Sequence, residues 1–220
     1  MSKFVEKYFN KRNKDQEKID LESKHAMSIN IINKLLTFNK LEVIDKTKTI
    51  LDVGCGDGSL VKYLNNHGVA ATGCDIKDLN FEKDFFPYKD ESFDYILLYS
   101  VIEHVHNTEH LILEIRRMLK ISGVLIIITP NFRYCFNNFY DDPTHVKPFT
   151  NKGLENILKI YDFKNILVKP WTSNCLNFIW NLNFCFFYCA HLLPFRNDIK
   201  YFIPKFLKGK SSTMISVSSK

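Results

Sequence analysis

The sequence is poor in the residues that interrupt a chain. Among 220 residues only 8 are glycine and 7 proline, which excludes a collagenous or low-complexity protein. Six cysteines occur, Cys55, Cys74, Cys135, Cys175, Cys185 and Cys189, but no C-x-x-C pair among them. Two lie in apolar strand patterns, where a thiol behaves as a small hydrophobe. No disulfide framework and no zinc site are expected, and a reducing, cytoplasmic compartment is. Met1 to Asp20 alternates lysine with acids and has no apolar core, so it does not read as a secretory signal. An uninterrupted run of about twenty apolar residues, which a spanning helix needs, is also missing. The richest stretch, Trp171 to Phe195, is broken by Asn177, Asn181, Asn183 and His191. There is no broad basic face either. The net charge is +6, and the segment from Arg196 onward holds six lysines and arginines against one acid, Asp198. That distribution argues against a nucleic-acid groove and for a basic end piece able to meet an anionic surface.

What is present is ordinary for a folded domain: 45% hydrophobic and 25% charged residues, in a chain long enough to bury about seventy per cent of its unfolded surface. Met27, Ile31, Ile32, Leu35 and Leu36 recur at helical spacing within Leu21–Phe38. Short apolar runs at Thr49–Val53, Val69–Cys74, Tyr95–Tyr99, Val124–Thr129 and Ile166–Lys169 read as strands. Ser59–Asn66, Thr108–Lys120 and Lys152–Ile160 read as the helices between them, and Ser212–Ser218 alternates like a final edge strand. Residues 76–92 and 132–150 read as loops. Strands alternating with helices imply right-handed crossovers and an α/β, doubly wound, mostly parallel sheet with helices on both faces. The chain divides into an N-terminal helical segment (1–48), a core (49–170) and an aromatic cap with basic tail and last strand (171–220).

The sharpest signal is Asp52-Val53-Gly54-Cys55-Gly56-Asp57-Gly58. Glycines at alternate positions after a strand let the backbone bend tightly and approach a ligand. The spacing is G-x-G-x-G, not the G-x-G-x-x-G of a dinucleotide site, and Asp57 is unwelcome beside phosphates. Together with Asp52 it suits a ligand carrying an ammonium or sulfonium. Asp75 ends the next strand, twenty-one residues after Gly54, where doubly wound folds place the acid that accepts ribose hydroxyls. The alternative is a turn that only packs strand on helix.

These residues, with FPYKDESFDYILLYSVIEHV and LEIRRMLKISGVLIIITPN further on, resemble the class I S-adenosylmethionine-dependent methyltransferases that act on small molecules, from about Thr49 to Lys169. The resemblance implies a seven-strand-type Rossmann-like sheet with an aromatic helical insertion before the last strand, and S-adenosylmethionine as cofactor. It implies that Gly54, Cys55, Gly56 and Gly58 line the methionine part, with Asp52 on its amino group and Asp75 and Ile76 at the ribose. It places Asp84 near adenine, and Ser100, Val101 and Glu103 facing the cofactor. Relatives that use a metal carry more His and Glu at helical spacing than this chain does, so no metal is expected.

Ligands in open α/β sheets bind outside the carboxyl ends of the strands, where two long segments leave. One, Asn131–Thr150, holds Tyr134, Tyr140, Asp141, Asp142, His145 and Lys147. Methyl transfer is an in-line displacement that needs alignment and exclusion of water. A hydroxyl acceptor is helped by a base titrating near neutrality, and imidazole does so. His145 is therefore the candidate base, Asp142 its orienting partner and His104 a reserve. The alternatives are that Asp142 and His145 pin the loop, and that Glu103-His104 caps a turn. The other segment, 171–210, reads as a cap on the sheet edge, a hydrophobic acceptor pocket or a peripheral membrane element. The expected activity is methyl transfer to a small-molecule or lipid- or glycan-linked acceptor, at a hydroxyl oxygen. The competing readings are a regulatory module that binds S-adenosylmethionine without turnover and a nicotinamide-dependent oxidoreductase.

Overall fold

Alternate residues of the central strands point into two different apolar layers, and this sandwiching fixes the architecture. The computed structural model describes residues 21–171 and 211–220 in full, together with the backbone of 195–196 and 208–210. Its elements are α1 (Leu21–Phe38), β1 (Thr49–Val53), α2 (Ser59–Asn66), β2 (Ala70–Cys74), β3 (Phe93–Tyr99), α3 (Thr108–Met118), β4 (Leu119–Pro130), α4 (Phe132–Cys135), α5 (Asn151–Ile160), β5 (Lys164–Trp171), β6 (Phe195–Arg196), β7 (Lys208–Lys210) and β8 (Thr213–Ser219). Leu51, Val53, Ile96, Leu98, Leu125 and Ile127 pack with Leu111, Ile112 and Ile115 of α3 and Leu154 and Leu158 of α5. Ile50, Tyr95, Leu97, Val124, Ile126 and Ile128 face the other way, onto Ile32, Leu35 and Leu36 of α1 and Leu60 and Leu64 of α2.

The main sheet has six strands in the order β2-β1-β3-β4-β8-β5. β2, β1, β3 and β4 run parallel, and β8 is antiparallel to both neighbours. The doubly wound, mostly parallel expectation holds. Six strands of this sheet lie among the described residues, and 76–92, read from the sequence as loop, forms neither helix nor strand. That segment is held by Arg117, which donates to the carbonyls of Tyr88 (2.8 Å) and Phe86 (3.2 Å) and to Asp90 (2.7 Å). Glu114 bonds the same guanidinium twice and accepts the Phe86 N–H at 3.0 Å.

One expectation is corrected. The last strand is not at the edge: β8 pairs with β4 along Val124–Pro130 and with β5 along Lys164–Trp171. Its polar positions are therefore inside. Ser216 and Ser218, opposite Ile127 and Leu125, are 0% exposed, and neither hydroxyl has a hydrogen-bond partner among the described residues. Alternating polarity reads as an edge only when one face meets water, and here helices cover both.

Smaller differences are local. The loop 132–150 contains α4 and a 3-10 turn at Phe139–Asp141. β4 begins at Leu119 rather than Val124, because an irregularity at Lys120–Gly123, with Ser122 at φ 64, lets the chain leave α3 already paired to Phe93. Residues 1–20, 172–194 and 197–207 lie outside the described residues, so the readings of an aromatic cap and a basic tail are untouched. No helix among the described residues is long and apolar enough to cross a membrane.

Candidate functional site

After β1 the chain goes out to β2 and then returns to the other side of β1 as β3. This reversal opens a crevice at the carboxyl ends of β1 and β3, and the glycine turn fills its mouth. The N–H groups of Gly54 and Cys55 both donate to the Cys74 carbonyl, at 2.8 and 3.2 Å. Gly54 has φ 79, and a Cβ there would stand 2.4 Å from Cγ2 of Val101, so the chain just after β3 presses directly on the turn. Around Gly56 and Gly58, both at positive φ, a Cβ would meet nothing within 4 Å. The backbone there borders open space.

Two carboxylates frame that space. Asp52 is 3% exposed, and its Oδ1 has no hydrogen-bond partner among the described residues. Burial, reinforced by the charge of Asp75, raises its pKa to about 7. A buried carboxylate in this state is stabilised by a cation brought to it. Asp75 accepts the Gly56 N–H through Oδ2 at 2.9 Å, so it stands at the same turn. Asp57 does something else. Its carboxylate accepts the Ser59 N–H at 3.0 Å, which holds its pKa down, and it serves the entry to α2. Burial pushes the Cys55 thiol up to about 11, so it stays neutral, with its sulfur against Gly73.

Beside the turn lies a cavity of about 180 Å³ bounded by Asp52, Gly54, Cys55, Ser59 and Tyr99 and, from α1, by Lys24, His25 and Ser28. His25 Nε2 is 3.1 Å from the Ser59 hydroxyl. Sequence reasoning missed this wall. The helical periodicity marks only the apolar face of α1, and the folding of the helix across the crevice is what gives its polar residues a site.

The acceptor side is built from the chain after β3 and the loop after β4. Ser100, at φ 54, donates to the Ile128 carbonyl at 2.8 Å. Val101 touches Gly54, and a 3-10 turn, Ile102–His104, follows. Glu103 was expected to face the cofactor; its side chain instead belongs to a buried polar cluster. It is 1% exposed, accepts the Thr129 hydroxyl at 2.9 Å, and its carbonyl receives the N–H groups of Val146 and Lys147. Those last bonds carry His145 against His104, ring centroids 4.8 Å apart. His104 Nδ1 lies 3.0 Å from the Thr144 carbonyl, and His145 Nδ1 2.6 Å from the Phe139 carbonyl. The Nε2 atoms face carboxylates at 4.0 Å, Glu103 for His104 and Asp142 for His145. Asp142 also accepts the Thr144 N–H at 3.0 Å. Bonds from Thr144, with the charges of His145 and His104, offset its burial and hold its pKa below the ordinary carboxylate range. Asp142, His145 and His104 thus stand together.

Two expected residues have other partners. Asp84 accepts the Asn80 N–H of its own loop at 2.9 Å, and Ile76 packs against the core layer under α3.

Residues 24–168 match the family described as a methyltransferase domain. The mitochondrial ubiquinone biosynthesis O-methyltransferase of Rattus norvegicus is 34% identical over 105 residues, covering 37% of this chain and 30% of that protein. Norajmaline N-methyltransferase of Rauvolfia serpentina is 26% identical over 156 residues, covering 60% and 52%. The crystal structure of a SAM-dependent methyltransferase from Archaeoglobus fulgidus superposes with a TM-score of 0.59 at 18% identity, over 87% of this chain and 94% of that one. The match spans 62% or less of the length of the first curated relatives.

Proposed function

The chain belongs to the methyltransferase-domain family, the class I S-adenosylmethionine-dependent methyltransferases, and on that premise we propose that it methylates a hydroxyl oxygen of a small-molecule or lipid- or glycan-linked acceptor in the cytoplasm. When bound, S-adenosylmethionine supplies a methyl carbon already activated by positive sulfur. The residues fit it. Asp52 is a buried carboxylate suited to its ammonium, and Gly56 and Gly58 leave the backbone open to it. The cavity of about 180 Å³ lies below the roughly 300 Å³ of typical ligand pockets, so it suits the amino-acid end, with the nucleoside running out along Asp75.

The observation that carries the oxygen assignment is the cluster Glu103–His104–Asp142–His145, one short turn from Val101 and hence from the glycine turn. A sulfonium needs little help to lose its methyl group, whereas a neutral hydroxyl is a weak nucleophile. Two imidazoles and two carboxylates converging at the carboxyl edge of the sheet can make an oxyanion, either by accepting its proton or by holding a cation beside it. An amine acceptor, neutral and nucleophilic in its free form, has less use for such a group.

The test is a screen of acceptor fractions with tritiated S-adenosylmethionine and mass spectrometry of the labelled product. A methyl ether is expected, and His145→Ala is expected to lower turnover far more than cofactor affinity. A methylated nitrogen, or equal rates for the variant at saturating acceptor, overturns the reading. For the segment 171–210 we propose peripheral contact with anionic membrane, from its aromatics followed by basic residues. Failure of the intact protein to sediment with anionic liposomes would sink that part.

A further inference from the structure

We propose that Glu103, His104 and His145 bind one divalent first-row transition-metal cation beside the methyl-acceptor position. This rests on the placement of the acceptor at the same cluster. One carboxylate oxygen and one nitrogen from each imidazole all lie within 4.8 Å of one another. Bonds of about 2.0–2.2 Å at tetrahedral angles put the ligands of one ion about 3.3–3.6 Å apart, so the three groups draw in by up to about 1.5 Å to share it.

The imidazoles are set as ligands rather than as acids. A carbonyl oxygen only accepts, so the contacts of His104 with the Thr144 carbonyl and of His145 with the Phe139 carbonyl fix each ring proton on Nδ1. In the neutral ring the lone pair is then on Nε2. Clamping Nδ1–H on a carbonyl is what orients a metal-bound histidine and makes its other nitrogen a better donor. Both Nε2 atoms face carboxylates at 4.0 Å. The third donor, Glu103, is held by the Thr129 hydroxyl and by backbone bonds on its own carbonyl, so its position costs little further ordering. Buried at 1% exposure, its charge favours a nearby cation.

The donor set indicates the class of ion. Two imidazoles and one carboxylate suit zinc, cobalt, iron or manganese, whereas magnesium and calcium prefer oxygen alone. An acceptor hydroxyl joining the ion would ionise more easily. Its O–H bond breaks, with the proton passing to Asp142 at the rim and on to solvent. The O–CH₃ bond then forms as the S–CH₃ bond breaks, and the sulfonium leaves as a neutral thioether. Helical spacing along the sequence could not show this group, because His145 arrives from the loop after β4. The expectation of no metal is revised accordingly.

The experiment uses the full chain after chelation and dialysis, titrated with Co²⁺ and followed by visible absorption, and with Mn²⁺ followed by electron paramagnetic resonance. One equivalent is expected to bind, with cobalt bands indicating nitrogen ligands. Glu103→Gln, His104→Gln and His145→Gln should each weaken binding at least tenfold, and calorimetry of S-adenosylmethionine binding reports whether each variant is folded. No saturable uptake of either ion, or uptake unchanged in every folded variant, overturns the site. Full-rate methylation of a hydroxyl by protein that binds no ion overturns it too, while leaving the acceptor assignment standing. Uptake lost in the variants without methylation of any hydroxyl keeps the site and removes that assignment.

Discussion

Replacing Asp52 by asparagine separates the shape of this carboxylate from its charge. In the free protein its pKa is about 7, and only the ionised form is suited to the cofactor's ammonium. At pH 7.5 most molecules carry the charge, and at pH 5.5 about one in thirty does, so the affinity for S-adenosylmethionine should fall about 25-fold between them. The ligand's own amine, with an ordinary pKa of about 7.7–8.0, remains mainly protonated over this range. A hydrogen bond to a charged group contributes about 1.5–3 kcal/mol, so Asp52→Asn should bind roughly 10- to 150-fold more weakly at pH 7.5. Its affinity should also be flat with pH. The sign for folding is opposite. The folded pKa lies above the ordinary 3.8, so the native state holds more protons than the unfolded chain between those values. The stability of the ligand-free protein therefore falls as pH rises from about 4 to about 7, and the asparagine variant lacks that decline. Isothermal calorimetry and urea unfolding at matched pH measure the two effects. A flat profile for the parent, or the same slope in the variant, would refute the assignment of Asp52 to the ammonium.

Asp75→Ala should weaken cofactor binding by about tenfold or more, because ribose hydroxyls and the Gly56 N–H lose one partner together; unchanged affinity by calorimetry contradicts that role. Arg117→Met leaves the buried Glu114 carboxylate with the Phe86 N–H but without its guanidinium and releases the carbonyls of 86 and 88. A loss of about 3 kcal/mol in urea unfolding is expected. Because the guanidinium holds the Glu114 pKa below 4.5, this contribution is present above that pH and is lost as pH falls through the lower folded value; a variant with the parent's acid profile would show the pair to be idle. Ser216→Ala and Ser218→Ala should leave stability unchanged or raise it by about 1 kcal/mol each, since the removed hydroxyls are buried without partners, and a clear loss in thermal unfolding would argue against that burial.

The sequence was most legible where one local rule governs the outcome. The bounds of α1, β1 and α2 match their periodicity, and the turn at 54–58 with Asp75 behind it could be placed because glycine and a strand-end acid are constrained by the backbone itself. Ser216 and Ser218 misled, because a two-residue period reports two unlike faces and not which of them meets water. Lys24 and His25 went unnoticed for the converse reason. A polar helix face looks solvated until the tertiary structure lays it over a crevice. Glu103 was singled out, but its tie to the Thr129 hydroxyl could not be read, since that partner comes from 26 residues further along the chain.

The position of β8 bears on how this protein is made. The strand that joins β4 to β5 is the last of the sheet to emerge from the ribosome, so both neighbours wait with unpaired edges while the aromatic stretch is still being translated. The glycine turn, β2 and β3 are complete long before that. The nascent chain can therefore assemble its nucleoside half early, yet it carries two adhesive borders until β8 is made. Premature termination before Thr213 should yield a product that binds chaperones or aggregates rather than a smaller working enzyme.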